Sequence, residues 1–163
     1  MNPKLWQRLQ RQLAPGELRL DESTLTAHSG DKWFVTGTPE AVALPRSAKS
    51  VSTILRFAHR HQIPVTPRGA GYGYVGGCVP MRGGIVLSTA RMRRIREINE
   101  SDFVAVIQPG VITADLQNKA EAKGLYYPPD PASRADCSLG GNIATNAGGP
   151  RSLKYGVTSD YVL

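Results

Sequence analysis

The chain has only two cysteines in 163 residues, Cys78 and Cys137, far apart and without Cys-x-x-Cys spacing. Neither a disulfide framework nor a zinc site is indicated, no metal site is expected, and a reducing, cytoplasmic setting fits. No apolar run approaches the roughly 18 residues that a membrane helix needs. The N-terminus from Met1 to Pro15 mixes Lys4, Arg8 and Arg11 with its leucines, unlike the unbroken apolar core of a signal peptide. A soluble protein is expected, with peripheral contact to the inner membrane left open. Histidine is scarce as well: His28, His59 and His61 belong to no motif, and surface placement is the expectation. Internal repeats and low-complexity linkers are missing too.

What is present is a formal net charge of +7 and 40% hydrophobic residues, in a length suited to one globular domain or part of one. Positive charge admits nucleic acid, an anionic membrane or a phosphate-bearing ligand. The densest basic run, Arg91, Arg93, Arg94 and Arg96, has no aromatic interleaving and no zinc-finger or RNP-like pattern beside it. It reads as a solvated face or turn, and nucleic acid is not expected as a partner.

Leu5, Leu9 and Leu13 recur every four residues, which predicts a short helix ending near Pro15-Gly16. A loop with Trp33-Phe34 follows, then a buried strand at 41–44. Ser47 or Ser50 caps a helix carrying Val51, Ile54, Leu55 and Ala58 on its apolar positions. A strand at 63–66 completes a βαβ unit with parallel pairing expected. Further strands are predicted at 84–88 and 103–108, with a helix over 113–123 that Thr113 caps and Gly124 stops.

Between the strands at 63–66 and 84–88 lie five glycines in eleven positions, Pro67 to Gly77. Glycines let backbone N–H groups approach an anion, and successive N–H groups in tight turns form nests for phosphate oxygens. The loop suits a pyrophosphate. It is not a Rossmann fingerprint, because Tyr74 stands where the third glycine belongs, and Gly-Lys-Ser/Thr is absent. A second cluster, Gly140-Gly141-Asn142 and Asn146-Ala147-Gly148-Gly149, reads as a long functional loop. It offers backbone donors and two amide side chains to a polar heterocycle. Cys137, with no activating neighbour, reads as a packed thiol.

Four segments in this order, Pro67 to Gly77, Pro128-Pro129-Asp130-Pro131, Cys137 to Gly149 and Lys154 to Leu163, resemble the FAD-linked oxidases of the vanillyl-alcohol oxidase type. Within that family the chain is most similar to the glycolate oxidase flavoprotein subunit and D-lactate dehydrogenase group. The resemblance implies an α+β, PCMH-type FAD-binding domain of two α+β lobes with the flavin between them. Lobe one would cover about 41–77 and the start of lobe two about 84–163, incomplete at its C-terminus. Residues 1–30 would form a helical extension and 31–163 the domain.

By motif match, Arg68, Gly69, Ala70, Gly71, Tyr72, Gly73, Gly76 and Gly77 would hold the pyrophosphate. Pro109, Gly110, Asp130, Pro131 and Ser133 would line the cofactor channel. Ser138, Gly140, Gly141, Asn142, Ala144, Thr145, Gly148 and Gly149 would contact the ribityl chain and the flavin edge. Covalent relatives attach flavin to a His where Tyr72 stands, so the implied FAD is non-covalent. The implied reaction is oxidation of a 2-hydroxy acid by hydride transfer to FAD, with an oxidase subunit as protein partner. No catalytic base is assigned within the chain, and no turnover is expected from it alone. The alternatives are a non-catalytic flavin-fold binding or regulatory module and an inactive truncated remnant.

Overall fold

In the computed structural model, which describes residues 3–163, the leucine stripe forms helix α1 (Pro3–Gln10). The first two residues of the expected N-terminal extension lie outside the described residues. Trp6 and Leu9 of α1 are buried in one core with Ala41, Ala43, Ile54, Phe57 and Leu87. The stretch read as an extension is therefore woven into the core. Two elements there carried no sequence signal strong enough to name, strand β1 (Leu18–Arg19) and helix α2 (Glu22–Ala27). Asp21 caps α2 by accepting from the Thr24 N–H at 3.1 Å.

Strand β2 (Ala41–Ala43) leads into helix α3 (Ala48–Arg60), whose N-cap is Ser47, accepting from the Ser50 N–H at 3.1 Å. Burial of Ile54 and Phe57 on α3 contributes about 1.5–3 kcal/mol each. Strand β3 (Val65–Arg68) begins two residues later than the sequence suggests, and β4 (Ile85–Ser88) follows the glycine loop.

The sheet order is β1-β2-β4-β3, with β1 antiparallel to β2 and the other pairs parallel. This corrects the expected direct pairing of the strands flanking α3. They are parallel, but β4 lies between them. Local pattern cannot reveal such an insertion, because the ladder is chosen by which strand can be buried on both faces. All four residues of β4 are buried, while β3 carries Pro67, which has no N–H to give a ladder, and stands at the edge. Gly84 admits this register: at φ +70°, a Cβ there would strike the Pro64 carbonyl, which instead accepts from the Ile85 N–H at 2.9 Å. The strand at 85–88, expected at the start of the second lobe, is thus the central strand of the first sheet.

The chain divides into two compact units at Arg91/Met92. In the second, strands β5 (Ile95–Asn99) and β6 (Val104–Ile107) form an antiparallel pair with a register shift between Ile95 and Glu97. The expectation of a turn or plain solvated face at 91–96 is corrected in part, since Ile95 and Arg96 belong to β5. The extra residue at the bulge between Ile95 and Glu97 lets Ile95 and Ile98, three positions apart, both face the core, while Arg96 remains exposed.

Helix α4 (Thr113–Glu121) packs Leu116 against Val111 and Leu139, and Gly124 ends the turn at φ +71°. Thr113 does not cap it. Thr113 is the first helical residue, fully buried, and its hydroxyl bonds inward to the Cys137 carbonyl at 3.3 Å. The 127–149 region is not all loop: Ser138 caps a helix α5 (Leu139–Thr145), which closes on Asn146 in the left-handed region at φ +47°. Glycines at 140 and 141 obscured it, because their low helix propensity argues against a helix that tertiary contacts impose. A short helix α6 (Ser152–Tyr155) and a 3-10 turn (Thr158–Tyr161) follow. Among the described residues no helix is long and apolar enough to cross a membrane.

Candidate cofactor site

The edge strand β3 releases the glycine loop directly from its last residue. Three bonds lace residues 30–32 to that loop. The Lys32 N–H donates to the Gly73 carbonyl at 3.0 Å, the Gly76 N–H donates to Asp31 Oδ2 at 2.9 Å, and Arg68 Nη1 donates to the Gly30 carbonyl. Arg68 also reaches Cys78 Sγ at 3.3 Å. Its guanidinium thus braces the loop from behind, which explains Gly71: at φ +79°, a Cβ there would meet the Arg68 guanidinium.

Held in this way, the loop leaves its own donors free. None of the backbone N–H groups from Gly69 to Val75 finds an acceptor among the described residues. A cleft of about 330 Å³ adjoins them, lined by Gly30, Asp31, Lys32, Arg68, Ala70, Gly71 and Tyr72 together with Thr26, Ala27 and Ser29. A run of free N–H groups around a residue with positive φ is a concave anion nest. The loop therefore fits the pyrophosphate of a dinucleotide cofactor.

The second glycine cluster is built differently from the sequence reading. The N–H groups that open α5 are taken internally: Leu139 by the Val111 carbonyl, Gly140 by the Pro109 carbonyl at 2.8 Å, and Gly141 by the Ser138 hydroxyl at 3.4 Å. Gly140 is required for packing, since a Cβ would sit 2.6 Å from Pro109 Cβ. Asn142 turns its amide nitrogen inward. It is buried and donates to Thr113 Oγ1 at 2.7 Å, and Asn146 Oδ1 accepts from the Ser159 N–H at 2.9 Å. The buried Asn142 nitrogen is thus engaged within the unit, because a buried amide donor without a partner is costly, while the exposed Asn146 engages only its oxygen. Asn142→Ala is expected to lower stability by about 1–3 kcal/mol. Urea unfolding checks it, and an unchanged midpoint would deny the Thr113 bond any weight.

What α5 leaves exposed is Ile143, Ala144 and Thr145. Asp130 is held by Arg134 at 3.3 Å and Arg151 at 3.4 Å, and Gly149 lies directly on the Asp130 carbonyl. Buried Gln117 ties this segment down, donating to the Pro129 carbonyl at 2.9 Å and accepting from Arg134. The Pro131 carbonyl accepts from the Arg134 N–H, and the Ser133 carbonyl from the Asp136 and Cys137 N–H groups. Gly110 is buried with its N–H on the Met92 carbonyl, and Gly148 faces the Ser152 hydroxyl.

The titratable groups near these segments are tuned away from nucleophilic or basic roles. Burial pushes the half-buried Cys78 thiol up, against the pull of Arg68, so it stays protonated. Burial lowers His28, whose Nδ1 lies 2.9 Å from the Thr24 carbonyl. His28 is half-buried rather than superficial, and the His61 ring lies tilted against Phe57 with centroids 4.5 Å apart. Cys137 is a buried, packed thiol 3.2 Å from the Thr113 hydroxyl.

A family model described as FAD binding domain matches residues 39–163. The chain belongs to this family of FAD-binding domains. It is 49% identical over 125 residues, 77% of its length, to glycolate oxidase subunit GlcD of Bacillus subtilis strain 168, spanning 27% of that protein. To the D-2-hydroxyglutarate dehydrogenase of Stutzerimonas stutzeri it is 41% identical over 99% of its length, spanning 35% of that protein. Among solved structures, an alkyldihydroxyacetonephosphate synthase superposes with a TM-score of 0.88 at 26% identity, over 98% of this chain and 35% of that one. A p-cresol methylhydroxylase shares the fold, with a TM-score of 0.76 at 21% identity over 88% of this chain and 29% of that one. The chain spans about a third or less of these relatives. Its α+β fold is of the PCMH type, and FAD is the cofactor of the family.

The first cleft also draws on residues that carry no glycine-loop motif. Gly30, Asp31 and Lys32 form a wall of the first cleft, although they precede the glycine loop by more than thirty positions. Only Asp31, an acidic residue beside a glycine, hinted at a turn.

Proposed function

We propose that this domain seats the FAD of a flavoprotein that oxidises a 2-hydroxy acid of the glycolate, D-lactate or D-2-hydroxyglutarate class. The observation that carries the reading is the run of free backbone N–H groups from Gly69 to Val75 around Gly71. The relatives' names supply the substrate class.

In this reading, the loop from Arg68 to Gly73, with Gly76 and Gly77, holds the pyrophosphate through the backbone, while the Arg68 side chain keeps the loop in shape. Pro109, Gly110, Asp130, Pro131 and Ser133 are assigned to the cofactor's channel. The α5 segment, with Gly148 and Gly149, is assigned to the ribityl chain and flavin edge. Asn142 serves there by fixing α5 through Thr113 rather than by touching the ring. Bound FAD supplies the acceptor for the hydride equivalent leaving the hydroxyl-bearing carbon. No base for the hydroxyl proton is assigned to these residues. A protein partner is proposed because the Bacillus relative is named as a subunit of an oxidase.

The native-length protein is expected to purify with a flavin absorbance spectrum, and acid precipitation is expected to release the flavin into the supernatant, since Tyr72 provides no His for attachment. Anaerobic mixing with glycolate, D-lactate or D-2-hydroxyglutarate is expected to bleach that spectrum. A well-folded protein that neither carries nor takes up FAD would sink the reading, and flavin remaining in the pellet would sink its non-covalent part.

A further inference from the structure

The first cleft contains a cation that the glycine loop does not use. Lys32 Nζ lies over the Tyr72 ring, 4.4 Å from its centroid, and both residues line the cleft beside Ala70 and Gly71. The lysine is anchored there by its backbone, whose N–H donates to the Gly73 carbonyl at 3.0 Å.

The other charges at this cleft are spoken for. The Asp31 carboxylate accepts from the Gly76 and Trp33 N–H groups at 2.9 and 2.8 Å, and Arg68 is spent on Gly30 and Cys78. The Lys32 ammonium forms no hydrogen bond or ion pair among the described residues; its partner is the face of an aromatic ring. A ring face attracts a cation only weakly at an exposed site and leaves its three N–H donors free. A lysine on a flexible stem beside an anion nest is the arrangement that meets phosphate oxygens as a point charge.

We infer that Lys32, parked on Tyr72, is a side-chain anchor for the phosphate end of the cofactor, and so a determinant of the preference for a phosphorylated flavin over riboflavin. The inference rests on the FAD reading above. In it, the backbone nest supplies direction and Lys32 supplies net charge, since Asp31 offsets Arg68 nearby. Tyr72 holds the ammonium at the nest's mouth before the cofactor arrives, reducing the entropy lost on contact.

The test uses the native-length protein stripped of flavin and titrated with FAD and with riboflavin. Lys32→Gln is expected to weaken FAD about fivefold, the size of one partly exposed ion pair, and to leave riboflavin unchanged. Lys32→Arg is expected to restore most of the FAD affinity, and the difference between wild type and Lys32→Gln is expected to shrink as salt rises. Equal FAD affinity in wild type and Lys32→Gln would overturn the inference while leaving the FAD reading intact. Equal losses for FAD and riboflavin would also overturn it, by moving the effect to the ring. Failure of the wild type to take up FAD at all would overturn the reading on which it rests.

Discussion

Gly149→Ala is expected to lower the stability of the second unit by about 3 kcal/mol, through overpacking that backbone atoms cannot relieve. A methyl at this position would run into the Asp130 carbonyl and crowd the Pro131 nitrogen at 3.0 Å. Both belong to a segment that has little room to retreat: Asp130 is pinned by Arg134 and Arg151, and the preceding carbonyls are held by buried Gln117. The same displacement would disturb the residues assigned to the cofactor channel, so FAD uptake is expected to fall together with stability. Gly124→Ala is the control. It also has a positive φ, +71°, but nothing lies within 4 Å of its Cβ, so a loss of about 1 kcal/mol is expected from backbone strain alone. Urea unfolding, with hydrogen exchange resolving residues 92–163, reads the difference. Equal midpoints for the two variants would show that the Asp130 segment yields.

The second large effect falls on the first unit. Ile54→Ala is expected to destabilise it by about 2–5 kcal/mol, because the side chain is fully buried among Trp6, Leu9, Phe57 and the sheet and leaves a cavity when truncated. Leu55→Ala, one residue along, is expected to change stability by less than about 1 kcal/mol, since Leu55 is 46% exposed. Urea unfolding followed by hydrogen exchange over residues 3–91 reports both. Similar losses at the two positions would mean that α3 does not present the face described.

That pair also marks the limit of reading this chain by pattern. Val51, Ile54, Leu55 and Ala58 form one apolar series in the sequence, and all four sit on α3 as expected. Periodicity places them on a broad face about 100° or more wide, and only packing decides which edge of the face meets solvent. The cap at Ser47, one of two serines the sequence offers, the stop at Gly124 and the strand expected at 41–44 and found at 41–43 were legible for the same reason, since caps, stops and short buried strands are local devices.

The basic stretch at 91–96 shows the opposite case. Its arginines dominate the composition, and Ile95 and Ile98 break the two-residue period because a bulge lies between them, so β5 becomes evident only through its partner β6. At the second glycine cluster, position 140 must be glycine because Pro109 leaves no space for a side chain, a demand set by a residue 31 positions earlier. The sequence motif was right about the family, and the Asn142 amide nitrogen, read there as a donor to a heterocycle, is bonded to Thr113.

The sequence by itself determined the family and the cofactor, because order and spacing of glycine, proline and asparagine are carried along the chain. Tertiary structure alone decided three things. It inserted β4 between β2 and β3, turned Thr113 and Asn142 inward to satisfy each other, and brought Asp31 and Lys32 to the glycine loop. The physical reason is common to all three. Each depends on groups distant in sequence competing for burial or for a hydrogen-bond partner, and that competition is settled only when the chain is folded.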